Sequence, residues 1–144
     1  MSKELNPERL DAKKRDLKFR TWDDKAKGFI HFNILSAAEL IAVINNDLHI
    51  EQFSGLKDAS GTEIYEGDIL KTNEDSEPAV LWKSLYPEVP FPNYTHGLVE
   101  FVNSSFCVTQ ENLGRTELDK LTTGTRSTAL EIIGNTHTHP KLVA

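Results

Sequence analysis

The chain of 144 residues lacks the features that mark several common protein classes. Its single cysteine, Cys107, excludes both an intramolecular disulfide framework and a cysteine-based zinc ribbon, so we expect a reducing compartment. No apolar run approaches the roughly 18 residues of a membrane-spanning helix. The N-terminus is charged and does not carry the apolar segment of a signal peptide. We therefore expect a cytoplasmic protein without a membrane partner.

Basic side chains are scarce outside the N-terminal segment, and the net charge is −6. Residues 1–27 hold nine lysines and arginines against six acids, whereas residues 28–144 hold seven against sixteen. Nucleic-acid binding draws much of its affinity from neutralised phosphates, so only the N-terminal segment suits it. We expect residues 1–16 to form a flexible or helical extension and residues 17–144 a single domain.

The common catalytic signatures are also missing. The sequence has no glycine-rich phosphate loop, no nucleophile elbow and no Cys/His pair at a familiar spacing. Cys107 lies within an alternating apolar pattern and is typical of a small strand residue rather than a nucleophile. This pattern favours a non-enzymatic role, and no cofactor is predicted.

Residues 17–34 alternate around a polar turn and predict a β-hairpin. The alternation places Lys18, Arg20 and Trp22 on one face. They could form a stacking and charged surface for a partner or a nucleotide. Alternatively, the tryptophan packs beneath the cationic side chains as a lid. Residues 36–46 then change to a helical period, and Ser36 with Glu39 fits a capping box, so we predict one short helix there.

Residues 52–70 (QFSGLKDASGTEIYEGDIL) contain the strongest turn signals. Asp58 and Ser60 can bond to their own backbone and Gly61 permits a positive φ, so residues 57–61 predict a tight turn. Gly67 predicts a second bend.

Three acids close to this bend permit two interpretations. Glu63, Glu66 and Asp68 could act as general acid and base or hold Mg²⁺. They could instead accept hydrogen bonds from the backbone of the turn, which this spacing favours.

The middle of the chain predicts a short strand at residues 79–83 and a long surface loop at 84–96, where three prolines exclude a central strand. Tyr86 and Phe91 in this loop could dock a partner. Alternatively, they pack the loop against the core together with Trp82.

Residues 97–110 predict a second hairpin, in which Asn103 must tolerate a positive φ. Residues 116–119 suggest a helical turn, and residues 128–133 a last strand.

The C-terminal His137 and His139 are spaced so that both imidazoles of an extended chain project to one side. They could chelate a metal with Glu131 as a third ligand. The favoured interpretation is that they order a turn before Pro140, and no metal is predicted.

Four ordered blocks are similar to the YopX-like family of phage and prophage proteins. GLKDASGTEIYEGDIL resembles its block G-L-x-D-x-x-G-x-x-I-[YF]-E-G-D-[IVL], and KFRTWD, GLVEFVNSSFCV and EIIGNTHTHPKL resemble three others. The last block departs from the family pattern G-N-x-[HY]-x-N-P, because His139 replaces an asparagine. The resemblance implies a structural signature made of Gly55, Asp58, Gly61, Tyr65, Glu66, Gly67, Asp68, Gly134, Asn135 and Pro140.

These observations predict an α+β fold that is predominantly β. We expect a small, highly bent SH3-like barrel from residues 50–110, closed by 128–136, with the added hairpin and one short helix. Exposed sheet edges favour a homo-oligomer. The resemblance implies a protein of uncharacterised molecular function. We expect a non-catalytic interaction module for a host or phage protein, with nucleic-acid binding and metal-dependent hydrolysis as alternatives. The predicted partner-binding residues are Lys18, Arg20, Trp22, Tyr86 and Phe91.

Overall fold

Strands are the predominant regular secondary structure and make up 43% of the described residues. The computed structural model describes residues 17–32, 36–38, 41, 45, 49–111 and 113–143. The elements are β1 (Phe19–Asp23), β2 (Gly28–Phe32), β3 (Ile50–Lys57), β4 (Glu63–Tyr65), β5 (Asp68–Thr72), α1 (Glu77–Leu85), β6 (Gly97–Val102), β7 (Ser105–Gln110), β8 (Gly114–Glu117), a 3₁₀ helix (Leu118–Leu121), β9 (Leu130–Asn135) and a second 3₁₀ helix (Pro140–Leu142). The predicted β-rich α+β class is confirmed.

The strands form two antiparallel sheets. One has the order β2-β1-β3-β4, the other has the order β8-β7-β6-β5-β9, and the fold includes one curled half-barrel. Glu66 and Gly67 join β4 of the first sheet to β5 of the second. The segment 52–70 therefore carries the chain from one sheet to the other. A specifically SH3-like arrangement stays a prediction.

Both predicted bends of this segment are present. Asp58 Oδ1 accepts hydrogen bonds from the N–H groups of Ser60 (3.0 Å) and Thr62 (2.9 Å), and Gly61 has a φ of +89°. Asp58 Oδ2 accepts a further bond from Ile132 N of β9. Burial alone would raise the pKa of Asp58, but these bonds outweigh it and hold the pKa below its usual value. The turn is thereby attached to the last strand.

Both predicted hairpins are confirmed with small changes at their ends. Strands β1 and β2 pair from Phe19↔Phe32 to Asp23↔Gly28. Strands β6 and β7 pair around Asn103 and Ser104, which have φ values of 51° and 66°. Asn103 therefore adopts the predicted left-handed conformation without a glycine. The last strand begins and ends two residues later than predicted, at Leu130 and Asn135.

The strand predicted at residues 79–83 is wrong, because these residues lie within α1. Ser76 caps the helix by accepting a hydrogen bond from Ala79 N, and Pro78 occupies its first turn. The apolar run Val80-Leu81-Trp82 resembles a strand locally, but the cap and the proline decide in favour of a helix. The loop after it begins at Tyr86.

The region 111–124 also differs from the prediction. Residues 114–117 form β8, which pairs with β7, and the helical turn lies at Leu118–Leu121 instead of 116–119. Leu118 and Leu121 are fully buried. Their burial explains why this polar segment is ordered against the second sheet. The buried apolar cluster comprises Ile64, Leu70, Ala79, Phe91, Tyr94, Val99, Val108, Leu118, Leu121, Ala129 and Leu130.

Two other predictions are covered only in part. The described members of the predicted helix at 36–46 include Ala37, Ala38, Ile41 and Asn45, which are helical. The predicted extension at residues 1–16 lies outside the described residues. No helix within the described part of the chain is long and apolar enough to cross a membrane.

Candidate functional site

A buried group of charged side chains lies where the two sheets meet. It comprises Arg20 from β1, Glu51 from β3, Asp68 from β5 and His137 from the turn after β9, and we call it the ionic junction. Arg20, Glu51 and Asp68 are only 5%, 2% and 3% exposed. Buried charges require partners, so their pairing is the first property to establish.

Arg20 connects the two sheets through its guanidinium. Its Nε donates to Glu51 Oε1 (2.8 Å), and its Nη2 donates to Asp68 Oδ1 (2.9 Å) and to the carbonyl oxygen of Glu66 (3.0 Å). The guanidinium also lies 3.9 Å from the ring centroid of Phe29 and 4.7 Å from that of Tyr65. Delocalised guanidinium groups suit such stacked, multiply bonded positions.

The bend at Gly67 makes this arrangement possible. Gly67 has a φ of +84°, and a Cβ at this position would overlap the Glu51 carboxylate. Asp68 directly follows the bend, and its Oδ2 accepts a bond from Tyr65 N (2.8 Å). Glu66 Oε1 accepts a bond from Gln52 N (2.9 Å). Two of the three acids considered from sequence therefore bond to nearby backbone, as the structural interpretation predicts.

His137 adds the C-terminal turn to the junction. Its Nε2 lies 3.2 Å from Glu51 Oε2, and its ring stacks on Trp22 with centroids 5.0 Å apart and planes 6° apart. Asn135 Oδ1 accepts hydrogen bonds from the N–H groups of His137 and Thr138, which fixes the turn. Residues from four parts of the chain are thus held together.

The charges within the junction do not balance when both carboxylates are ionised. One guanidinium then faces two carboxylates, and a proton on Asp68 would remove the excess negative charge. Burial raises the pKa of Asp68 to about 6, although Arg20 and the Tyr65 N–H bond act in the opposite direction. Burial also raises the pKa of Tyr65 to about 12, so its phenol stays protonated at neutral pH.

The predicted partner-binding residues have different environments. Lys18 forms a half-exposed ion pair with Glu63 (2.6 Å), Arg20 is buried in the junction, and Trp22 is half-buried against His137. Tyr86 is exposed and contacts the Trp82 ring, whereas Phe91 is buried in the core. The predicted role stays a prediction. Arg20 and Phe91 pack inside the protein. Trp82 and Phe91 pack against the core, as the alternative interpretation of this loop predicts.

The two C-terminal histidines lie in different surroundings. The His139 ring covers Gly134, where a Cβ would overlap it, and its Nδ1 lies 2.7 Å from Thr138 Oγ1. Among the residues that the structure describes, no group of three or more His, Cys, Asp or Glu side chains is arranged to hold a metal.

Sequence reasoning missed Glu51, the acid that joins Arg20 to His137. A signal was present, because the alternation of residues 48–53 places Glu51 on the same face as the buried Phe53. An acid at an inward position indicates a buried cationic partner. The identity of that partner depends on strand order, which the sequence pattern does not provide.

A second feature is apolar and exposed. Val80, Leu81 and Leu85 of α1, with Tyr86 and Val89 of the segment after it, form what we call the α1 surface. Val80 is 65% and Leu85 61% exposed. Trp82 Nε1 donates to the Val89 carbonyl (3.0 Å), and this bond folds the segment back onto the helix.

Comparisons with known proteins agree with this fold. The structure resembles that of protein EF1440 from Enterococcus faecalis, with a TM-score of 0.54 and 21% identity over 91% of this chain and 100% of that one. It also resembles protein YopX from Bacillus subtilis, with a TM-score of 0.51 and 15% identity over 88% and 95% of the two chains. A comparison with curated proteins finds no match. The family model described as YopX protein matches residues 18–144, and the chain therefore belongs to the YopX family.

Proposed function

We propose that this YopX-family chain is a phage or prophage protein that acts as a non-catalytic protein-interaction module in the cytoplasm of a bacterial host. The α1 surface carries the proposal, because five large apolar side chains are exposed on one helix and the segment folded against it. Contiguous exposed apolar patches commonly mark protein-binding sites.

The ionic junction supports a non-catalytic role. Each of its charged groups is bonded to another part of the chain, and Arg20 donates three hydrogen bonds to acceptors within the protein. A catalytic carboxylate needs to reach a substrate proton. The almost complete burial of Glu51 and Asp68 instead suits a structural connection between the sheets.

The first partner that we propose is a second copy of the chain. Glu77 lies in the first turn of α1 and Lys83 in its last turn. Two copies of the helix packed antiparallel about a twofold axis would cover the exposed apolar side chains and would bring the acidic first turn of each helix near the basic last turn of the other. Isologous contacts of this kind are the commonest in homo-oligomers.

Sedimentation equilibrium of the full chain tests this proposal. We expect wild type to self-associate and the double variant Leu81→Glu/Leu85→Glu to be monomeric, because charges at the centre of the contact are buried without partners. Ile30→Glu is the matched control, since Ile30 is similarly exposed but lies on β2, outside the α1 surface. Equal association of wild type and the double variant would exclude the α1 surface as the contact.

A host or phage partner is tested by recovery from a bacterial lysate. Specific proteins retained by wild type and Ile30→Glu but lost with Leu81→Glu/Leu85→Glu would place heterologous binding on the same surface. Point substitutions are preferable to deletion of residues 84–92, because Phe91 belongs to the core and its loss would destabilise the fold.

The two alternative functions have less support from the described residues. Nucleic-acid binding would use residues 13–22, of which Lys18 and Arg20 are paired with Glu63, Glu51 and Asp68 and residues 13–16 lie outside the described residues. Metal-dependent hydrolysis would combine His137 with the acids near Gly67, but Glu51 is the acid bonded to His137. Oligonucleotide titration at low salt and metal analysis after chelator-free purification test these two alternatives.

A further inference from the structure

A polar groove of about 310 Å³ lies between α1, the end of the β6–β7 hairpin, β8 and the first 3₁₀ helix. It lies at the small end of the range of ligand sites, which begins at roughly 300 Å³. Its wall includes Trp82, Asn103, Ser105, Arg115, Glu117 and Lys120. The ionic junction and the exposed side chains of the α1 surface do not line it.

The groove brings together two basic side chains without acidic partners. Within the described residues, neither Arg115 nor Lys120 has a carboxylate oxygen within 4 Å. Lys18, Arg20, Lys27 and Lys71 each have one, and the other described lysines and arginines do not. Residues 28–144 contain sixteen acids and only seven lysines and arginines, and two of these seven line this one groove.

Some of the remaining polar groups of the groove already form hydrogen bonds within the chain, and others do not. Trp82 Nε1 donates to the Val89 carbonyl, and Thr116 Oγ1 bonds to the Tyr94 hydroxyl, so these two groups form fixed walls. The Asn103 amide and the Ser105 hydroxyl make no side-chain hydrogen bond within the described part of the chain. A guanidinium, an ammonium, an amide and a hydroxyl therefore remain as donors.

We propose that this groove binds the phosphate group of a small molecule. Arg115 provides a planar pair of donors that matches a phosphate, and Lys120 adds a second positive charge. Asn103 and Ser105 complete the set of donors. Glu117 lies in the same groove and opposes an anion, so its charge limits the affinity. This assignment is independent of the proposed binding at the α1 surface.

Titration of the full chain with inorganic phosphate, adenosine monophosphate and glucose 6-phosphate at low ionic strength tests the assignment. Heat is one readout, and the fluorescence of Trp82 in a Trp22→Phe background is the second. Equal affinities would identify the phosphate alone as the ligand, whereas tighter binding of one organic phosphate would identify its class. Both results support the site. Absence of heat and of a fluorescence change with all three compounds would overturn it.

Substitutions distinguish specific phosphate binding at this groove from nonspecific electrostatic attraction of phosphate to the protein. Arg115→Gln and Lys120→Gln should each weaken binding about tenfold, because charge-assisted hydrogen bonds are lost. Glu117→Gln should strengthen binding several-fold, because a repulsive charge is removed. Lys71→Gln is the control, since this exposed lysine lies at a different groove. A loss with Arg115→Gln no larger than that with Lys71→Gln would contradict the proposal. Thermal unfolding of each variant verifies that these exposed substitutions preserve the fold.

Discussion

The ionic junction and the α1 surface differ in which side chains they bury and which they expose. At the junction, charged groups that ordinarily face water are buried, and each is bonded to another part of the chain. At the α1 surface, large apolar groups that ordinarily lie inside are exposed. Both arrangements are unfavourable for isolated side chains, so each needs a compensating contact.

The difference lies in where that compensation is found. At the junction the compensating contacts come from the chain itself, since Arg20 of the first sheet bonds to Asp68 of the second and His137 attaches the C-terminal turn. The α1 surface has no such cover from the described residues. We therefore propose that the junction serves folding and that the α1 surface serves binding. Substitutions in the two regions test this division.

Arg20→Met should produce the largest loss of stability. The substitution leaves the carboxylates of Glu51 and Asp68 buried without their cation, and breaking a buried ion pair in this way costs about 3–5 kcal/mol. Lys18→Met is the matched control, because its pair with Glu63 is half-exposed and should contribute no more than about 1 kcal/mol. Urea unfolding at neutral pH measures both. Similar losses of unfolding free energy for the two variants would mean that the buried ion pairs of the junction stabilise the fold no more than the half-exposed pair of Lys18 does.

Gly67→Ala should have the next largest effect, about 3 kcal/mol, because a positive φ is combined with overlap against the Glu51 carboxylate. Gly61→Ala offers a comparison at a similar φ of +89°, where the nearest atoms lie 3.9 Å away. It should lower the free energy of unfolding by about 1 kcal/mol. If both alanine variants lose the same amount, the close approach of Glu51 is not a constraint.

Asp68 should make stability depend on pH in a particular direction. Its folded pKa of about 6 lies above the usual value of 3.8, so the folded state binds this proton more tightly than the unfolded state. Its contribution is fully present below pH 3.8 and is lost as the pH rises through about 6. The loss is roughly 3 kcal/mol at 1.4 kcal/mol per pKa unit. Asp68→Asn should remove this dependence, which urea unfolding across that range would detect. An NMR midpoint for the Asp68 carboxyl near 4 would contradict the prediction.

Leu85→Glu should have the smallest effect on stability, within about 0.5 kcal/mol, because the side chain is exposed. It should nevertheless weaken self-association, measured by sedimentation as described above. A large loss of stability without any change in association would reverse the roles assigned to the two regions.

The sequence predicted those parts of the fold that depend on local patterns. Alternation placed Lys18, Arg20 and Trp22 on one face, and the glycine and Asx signals predicted the bends at Gly61 and Gly67. Helix α1 was missed because Val80, Leu81 and Trp82 favour strands by composition, although Ser76 and Pro78 provided a helix-start signal.

The candidate site was less predictable because its contacts are distant in sequence. Arg20 and Asp68 are 48 residues apart, and His137 and Glu51 are 86 apart. Periodicity specifies the face of a strand but not its neighbour, so the acids near Gly67 were recognised while their cation was not. Glu51 became part of the site only through the pairing of β1 with β3.

A double-mutant cycle between Arg20 and Asp68 tests most directly whether the junction couples the two sheets. The free energy of unfolding is measured for wild type, Arg20→Met, Asp68→Asn and the double variant at neutral pH. We predict that Asp68→Asn is more favourable in the Arg20→Met background than in wild type by at least about 1 kcal/mol, because it neutralises a carboxylate that has lost its partner. Equal effects of Asp68→Asn in both backgrounds would contradict the account.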